Sequence, residues 1–452
     1  MERPSRGEEL VLEVDTLAYG GRGVARSNGY VVFVAGALPG DRVRARLTKA
    51  KRGYAEALAL ELLRRGPDRV PDRCEHGGEP CPGAPWQGLA YERQLAHKHE
   101  QVADALKRIG GLEGFELEPA EPALERWRYR NKLEYSFGDR DGNVALGFHA
   151  RGRWDLVVDV DDCLLASERN NGVRNEIRAW ARTEGIPPYD RRERDGVLRN
   201  LVVREGRRTG QLQTRLVTSP AGISRPPVDL HTVIDGPSGG TDGPTGALGR
   251  EHLEEEVAGL RIRISPDAFF QTNTEMAERL YAIAREYAGL TGRERVFDLY
   301  CGIGTIALAL AADAGEVWGL EVVESAVADA AENASRNGIS NAHFIAADTR
   351  LGIRPLVEEA GAPDVVVVDP PRSGLSKKVV RRVIECGAPR IVYVSCNPTT
   401  LAPNAAQLCE AGYRLRRVRA ADMFPQTPHI ECVALFEHTR PNRTRQRRIR
   451  PE

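Results

Sequence analysis

Between Glu9 and Leu63 apolar and polar residues alternate, and the glycine turns of YGGRGVAR and GALPGDRVRARL interrupt the alternation. A period of two broken by glycine predicts several short strands, closed into a small β-barrel over residues 1–66. Arg73 to Gly83 is rich in Cys, Gly and Pro and predicts no regular structure. YERQLAHKHEQVADALKRIGG spaces its apolar residues as a helix does and stops at Gly-Gly, so residues 67–100 read as a cysteine-bearing loop and the start of a helix. Trp127 to Val217 is strand-rich, and GDRDGNVALGF predicts a hairpin that turns at Asp-Gly. Asp235 to Gly249, DGPSGGTDGPTGALG, has low complexity and predicts a mobile loop within a central β-rich α+β domain over 101–264.

Near Ser265 the pattern changes. RVFDLYCGIGTIALALA, EVWGLEVV, AHFIAADT, PDVVVVDPPRSG and RIVYVSCNP begin as short apolar strands. The helical stretches SAVADAAENASRNG, SKKVVRRVIECG and TTLAPNAAQLCEAG separate them. Strands alternating with helices predict a Rossmann-like α/β domain over 265–440, with a mainly parallel sheet covered on both faces and a ligand beyond the strands' carboxyl ends. Residues 441–452 form a basic tail.

Length changes this picture only by agreeing with it, since 452 residues exceed one ordinary core. No run of 18 apolar residues occurs, and the start MERPSRGEEL is charged without an apolar core, so neither a membrane span nor a secretory signal is expected and a cytoplasmic location is. The eight cysteines are scattered, which points to reduced thiols, a metal site or catalysis and away from a disulfide frame. Lys plus Arg and Asp plus Glu both number 64, so net charge gives no case for nucleic-acid binding. Basic residues do cluster locally in TKAKRGY, ERWRYRNK and the tail.

The polar chemistry lies at strand ends. The first strand runs into Asp298, Tyr300, Cys301, Gly302 and Gly304, where glycine lets the backbone approach a ligand. The second ends at Glu321, at the spacing where an acid reaches ribose hydroxyls, the third at Asp348, and the fourth at Asp369-Pro370-Pro371. Asp348 also reads simply as a helix cap. IVYVSCNPTTLAPN ends an apolar strand on Cys396 and follows it with Asn397 and Pro398, which has no amide hydrogen for a ladder, so the thiol stands where a strand opens into a loop.

SPDAFFQTNTEMAERLY, VFDLYCGIGTIAL, VVVDPPRSG, IVYVSCNPTTLAPN and ADMFPQTPHIECVALFE occur in this order and together resemble the RNA 5-methyluridine methyltransferase family over nearly the whole chain. LAYGGRGVAR and VFVAGALPGD resemble that family's TRAM barrel, an RNA-binding module of oligonucleotide-binding type. The resemblance implies a class I methyltransferase domain using S-adenosyl-L-methionine, bound by Gln271, Tyr300, Glu321 and Asp369, with Gly302 and Asp348 placed in the same site. It implies that Cys396 adds to carbon 6 of uracil and that Glu431 removes the proton from carbon 5, with His429 the second candidate for the base. The base must leave its stack, and Phe269, Phe270, Phe424 or Tyr393 would support it. The expected substrate is RNA, not DNA, favouring 23S ribosomal RNA with transfer RNA as the alternative, and the expected state is a monomer. Amino-group methylation fits less well, because Arg372 rather than an aromatic follows Pro371 and such chemistry has no use for Cys396 and Glu431. The remaining alternative is a catalytically inert RNA-binding assembly factor.

Cys74, Cys81 and Cys163 resemble three ligands of the [4Fe-4S] cluster of many family members, but Ala84 stands where another cysteine is expected and the Cys74–Cys81 spacing is one residue longer. Three readings stay open: a cluster completed by His76 or solvent, a zinc site with His76, or an empty site.

Overall fold

The computed structural model describes residues 5–76, 79–220, 223–228, 231–235, 241–247 and 252–439. Five strands, Glu9–Leu17, Gly23–Ser27, Tyr30–Ala35, Arg42–Ala50 and Tyr54–Arg64, close into a barrel. Along Arg42–Ala50 the arginines face out while Val43, Ala45 and Leu47 face in, so the alternation in sequence becomes the two faces of one wall. Buried Asp41 ends the barrel: it accepts from the Leu38 and Gly66 amides at 2.7 and 3.0 Å and takes the Arg69 guanidinium in two bonds of 2.8 Å.

The central sheet has seven strands in the order Val157–Asp159, Asn143–His149, Lys132–Arg140, Leu198–Glu205, Leu212–Thr218, His231–Asp235 and Thr241–Ala247. Asp141 and Gly142 turn its hairpin with φ of 56° and 78°, the left-handed pair that a two-residue turn of primed type requires. Helix Glu168–Thr183 packs on this sheet through Val173, Ile177 and Ala181. Asp235–Gly249, read as a mobile loop, contains the strand Thr241–Ala247, paired irregularly with His231–Asp235; residues 236–240 and 248–251 lie outside the described residues.

The α/β half is built on eight strands in the order Ala342–Ala346, Glu316–Glu321, Arg295–Leu299, Val365–Val368, Arg390–Ser395, Glu431–His438, Tyr413–Ala421 and Glu116–Leu117. The first five strands of that order are parallel, and Glu431–His438 runs against both neighbours. All four residues of Val365–Val368 are buried, as expected of a strand covered by helices on both faces.

Elements on the far side of residues 101 and 264 also pack with the α/β half. Helix Tyr91–Asp104, its π-helical extension Ala105–Ile109 and strand Glu116–Leu117 join the α/β half, where Val102, Ala105 and Leu106 enter the core with Leu401 and Ala402. The hairpin Leu253–Val257 and Leu260–Ile264 packs there as well, against Met276 and Leu280. Two buried links hold the loop after Tyr413–Ala421. Lys98 donates to Asp422 Oδ1 at 2.6 Å and to the Phe424 carbonyl at 2.9 Å, and Asn273, the cap of helix Thr274–Ala288, donates to the Met423 carbonyl at 2.9 Å. Each leaves a charge or amide unsatisfied if its partner is removed, so the loop is fixed in place before it reaches Glu431.

Candidate active site

Strand Arg295–Leu299 ends in a turn of unusual backbone. Tyr300, Gly302 and Gly304 have φ of 69°, 54° and 84°, and a non-glycine residue in that region is held there by its surroundings. The holding bonds are on the neighbouring strand: the Tyr300 and Cys301 amides donate to the Leu320 carbonyl at 2.9 and 3.2 Å. Glu321, one residue on, accepts from the Gly302 amide at 3.2 Å with one oxygen and from the Val322 and Val323 amides at 2.8 and 2.9 Å with the other.

Gln271, Tyr300, Gly302 and Asp369 line a single pocket with Phe269 and Asp298. Asp298 is fully buried and neither carboxylate oxygen has a hydrogen-bond partner. Burial, then the charge of Asp369, pushes its carboxyl up to about 8, and burial pushes Asp369 up to about 7. Asp348 takes the capping role: its Oδ1 accepts from the Leu351 amide at 3.2 Å at the start of helix Thr349–Ala360, and it does not line the pocket.

Beside this pocket the sheet register gathers the second set. Ser395 pairs with Cys432 and Val368 with Tyr393, so the next residues out, Cys396, Glu431 and Asp369, emerge at one end of three adjacent strands. Glu431 reaches that end only because its strand runs backwards. Asn397 caps helix Pro398–Glu410 by accepting from the Thr399 amide at 3.0 Å, with Pro398 in the first turn where no amide hydrogen is needed. Its amide group donates to the Arg372 carbonyl at 3.1 Å.

Cys396 is partly exposed, and burial, then the charges of Glu431 and Asp369, pushes its thiol up to about 12 while Arg372 opposes them. Burial and then Asp369 raise the fully buried Glu431 well above the carboxylate range, again against Arg372. His429 is pushed down to about 4 by burial and by Arg372, Arg130 and Lys98, so it is neutral and packs edge-on against Phe424 at 5.7 Å. Of the four candidate stacking rings, Tyr393 is core, its hydroxyl donating to Asn404 at 3.0 Å, and Phe270 is buried. Phe424 is partly buried against the core, and Phe269, 69% exposed at the pocket, is the open one.

Two residues not singled out as site residues in the sequence reading join this group. One is Arg372, whose charge acts on both Cys396 and Glu431. The other is Tyr19 of the barrel, whose hydroxyl donates to the Cys396 carbonyl at 3.5 Å. Its turn lies so close that a Cβ on Gly21, at φ 86°, would stand 2.8 Å from Pro428. Only the polar, aromatic character of Tyr19 beside two glycines signalled it in the sequence.

The pattern of the family described as tRNA (Uracil-5-)-methyltransferase matches residues 248–439, and that of the TRAM domain matches residues 4–60. A protein of Caldanaerobacter subterraneus subsp. tengcongensis described as an uncharacterized RNA methyltransferase is 38% identical over 452 residues, covering 96% of this chain and 99% of its own. One from Chlorobaculum tepidum, described in the same words, is 39% identical over 448 residues, covering 91% and 92%. The crystal structure of Pyrococcus abyssi tRNA (uracil-54, C5)-methyltransferase in complex with S-adenosyl-L-homocysteine is similar over 94% of this chain and 99% of that one, with 28% identity and a TM-score of 0.76. The chain belongs to the RNA 5-methyluridine methyltransferase family with a TRAM domain.

For a member of this family the architecture is as expected: a class I methyltransferase sheet with its seventh strand antiparallel and inserted before the sixth, preceded by the TRAM barrel. Among the described residues no helix is long and apolar enough to cross a membrane. The pocket suits S-adenosyl-L-methionine, since the unpartnered oxygens of Asp298 border it and the ligand brings an ammonium and a sulfonium.

The family's [4Fe-4S] cluster does not suit the residues present. Cys74 Sγ lies 3.1 Å from His76 Nε2, and the donor atoms of Cys74, His76 and Cys81 are all within 4.8 Å of one another. Ala84 packs against Cys74 and Cys81 and offers no thiolate. Cys163 lies on the loop beside them, near enough for its charge to act on Cys81, but outside the compact group of three.

Proposed function

We propose that this RNA methyltransferase transfers the methyl of S-adenosyl-L-methionine to carbon 5 of a uridine in RNA. The observation that carries the reading is the register that brings Cys396, Glu431 and Asp369 to one sheet end beside the pocket of Gln271, Tyr300 and Gly302. Glu321 and the turn at Gly302 hold the cofactor's nucleoside side and Gln271 its methionine side. Bound S-adenosyl-L-methionine supplies an electrophilic methyl.

The Cys396 thiolate forms a bond to carbon 6, and the uracil 5,6-double-bond electrons become available at carbon 5 to take the methyl. Glu431 then accepts the carbon 5 proton, the sulfur–carbon 6 bond breaks, and the double bond is restored. Glu431 raises Cys396, while burial and Asp369 raise Glu431, so this end of the sheet resists gathering negative charge. Arg372, which opposes both elevations, faces this charge throughout. Phe269 is the ring open to an extruded base.

Among substrates we place large-subunit ribosomal RNA first, because a TRAM barrel joined to a cysteine motif of cluster type accompanies that branch. Transfer RNA is the second reading, favoured by the likeness to the Pyrococcus abyssi enzyme and by the family's description. Mass mapping of 5-methyluridine in ribosomal and transfer RNA, from cells with and without this protein, decides between them. Loss from neither, with methyl transfer also absent in vitro, leaves the inert assembly factor.

A further inference from the structure

We propose that Cys74, His76 and Cys81 hold one divalent cation of the zinc type in place of an iron–sulfur cluster, with the neighbouring Cys163 moving in to supply the fourth ligand. Zinc–sulfur bonds of about 2.3 Å and zinc–nitrogen bonds of about 2.0 Å put neighbouring donors on one tetrahedral ion roughly 3.5 Å apart. The 3.1 Å between Cys74 Sγ and His76 Nε2, and the 4.8 Å limit on all three donors, are short enough for one ion to draw the donors together by small side-chain shifts. A four-iron cluster anchors each thiolate on a different iron, so its ligands surround a much wider object and number four cysteines. Here the fourth cysteine position is Ala84, buried against the other two, and the compact third donor is an imidazole. Imidazole with thiolates is a donor set suited to zinc.

The setting is that of a closed structural site. Cys74, His76, Cys81 and Cys163 are all buried, at 4, 6, 6 and 2% exposure. The Cys74 backbone is gripped on both sides by Gln87, which accepts from its amide and donates to its carbonyl at 2.9 Å each. The group packs on Trp127 and Leu164 of the central region, so an ion there ties residues 74–84 to that region. None of these residues lies among those that line the active site, so the inference stands apart from the proposed reaction.

The test uses the full chain, purified without added metal and analysed for zinc, iron and acid-labile sulfide. About one zinc per chain and no sulfide is expected. Apo-protein titrated with cobalt(II) should saturate at one equivalent, with the visible bands of a tetrahedral ion and thiolate-to-cobalt charge transfer. Equimolar zinc should bleach those bands and raise the Tm. His76→Ala should weaken zinc at least tenfold and lose the tetrahedral cobalt spectrum. Cys81→Ser, as a second variant, should keep cobalt binding with reduced charge transfer. Four irons with matching sulfide after anaerobic reconstitution, retained in His76→Ala, would overturn the proposal in favour of a cluster. Failure of either metal to bind at equimolar concentration would overturn it in favour of a plain thiol–imidazole contact. Ala84→Cys provides the contrast: a gain of iron and sulfide only in that variant marks Ala84 as the residue that excludes the cluster.

Discussion

Cys396 and Cys74 are the same side chain set in opposite surroundings. Cys396 sits at the mouth of a sheet among carboxylates, and burial with Glu431 and Asp369 drives its thiol up to about 12. Cys74 sits in a closed corner where a hydrogen bond from Cys81, and then His76, draw it down despite burial. The first is kept protonated, partly open and beside a pocket, as suits the nucleophile we propose it to be, which must add only when a substrate fills the site. The second has donors that favour an anionic ligand and no opening for a substrate. What separates the two thiols here is the company they keep: carboxylates and an opening beside Cys396, a second thiol and an imidazole beside Cys74.

The largest effect should come from exchanging the two by mutation. Cys396→Ala is expected to lose methyl transfer by on the order of 10⁴-fold or more and to form no covalent adduct with RNA containing 5-fluorouridine, which traps the wild-type intermediate. Cys74→Ala should stay within about threefold of wild type in kcat and lower Tm instead. Similar losses of kcat in both would erase the distinction. Glu431→Gln keeps the shape of the base without its ability to take a proton, and a loss of about 10²–10⁴-fold is expected. A methylated protein–RNA adduct should accumulate on ordinary uridine, seen as labelled methyl on the protein band of a denaturing gel. Wild-type turnover would reduce Glu431 to a loop residue.

The pH profile sharpens the comparison further. Because the folded value of Cys396 is raised, its thiolate fraction at neutral pH is small and grows about tenfold per unit as pH rises towards that value. Single-turnover methyl transfer should climb from pH 7 to 9, and Arg372→Ala, which removes the opposing charge, should slow it by the same factor throughout that range. A flat profile in both proteins would mean that the thiolate is not limiting. The smallest effect belongs to Tyr19→Phe. Losing one 3.5 Å hydrogen bond to the Cys396 carbonyl should cost about two- to fivefold in kcat with KM for RNA nearly unchanged. A change in KM alone would place Tyr19 on RNA binding only.

The readable parts of the chain were those with a local physical cause. Alternation gave away the barrel strands, Asp141-Gly142 the hairpin turn of the central sheet, and the apolar run ending at Cys396 the strand end that presents the thiol. What stayed hidden depended on partners far along the chain. Tyr19 and Cys396 are 377 residues apart, and nothing near either announces the other. Helix Tyr91–Asp104 looks like any amphipathic helix until Val102 and Leu106 meet Leu401. Thr241–Ala247 contains Gly and Pro, poor strand formers, and is a strand only because a neighbouring edge offers it pairing. Tyr393 and Phe269 were equal as stacking candidates because aromatic character does not reveal which ring the core will take.

The backward course of Glu431–His438 makes chain length, rather than residue identity, the strictest constraint on this half of the molecule. Side chains alternate faces, and Ser395 opposite Cys432 fixes the count. Inserting a single alanine within 432–438 would turn Glu431 to the other side of the sheet or displace every apolar residue behind it. Such an insertion should be more damaging than most point substitutions in the same strand, and a second alanine beside the first should recover part of the loss by restoring the alternation.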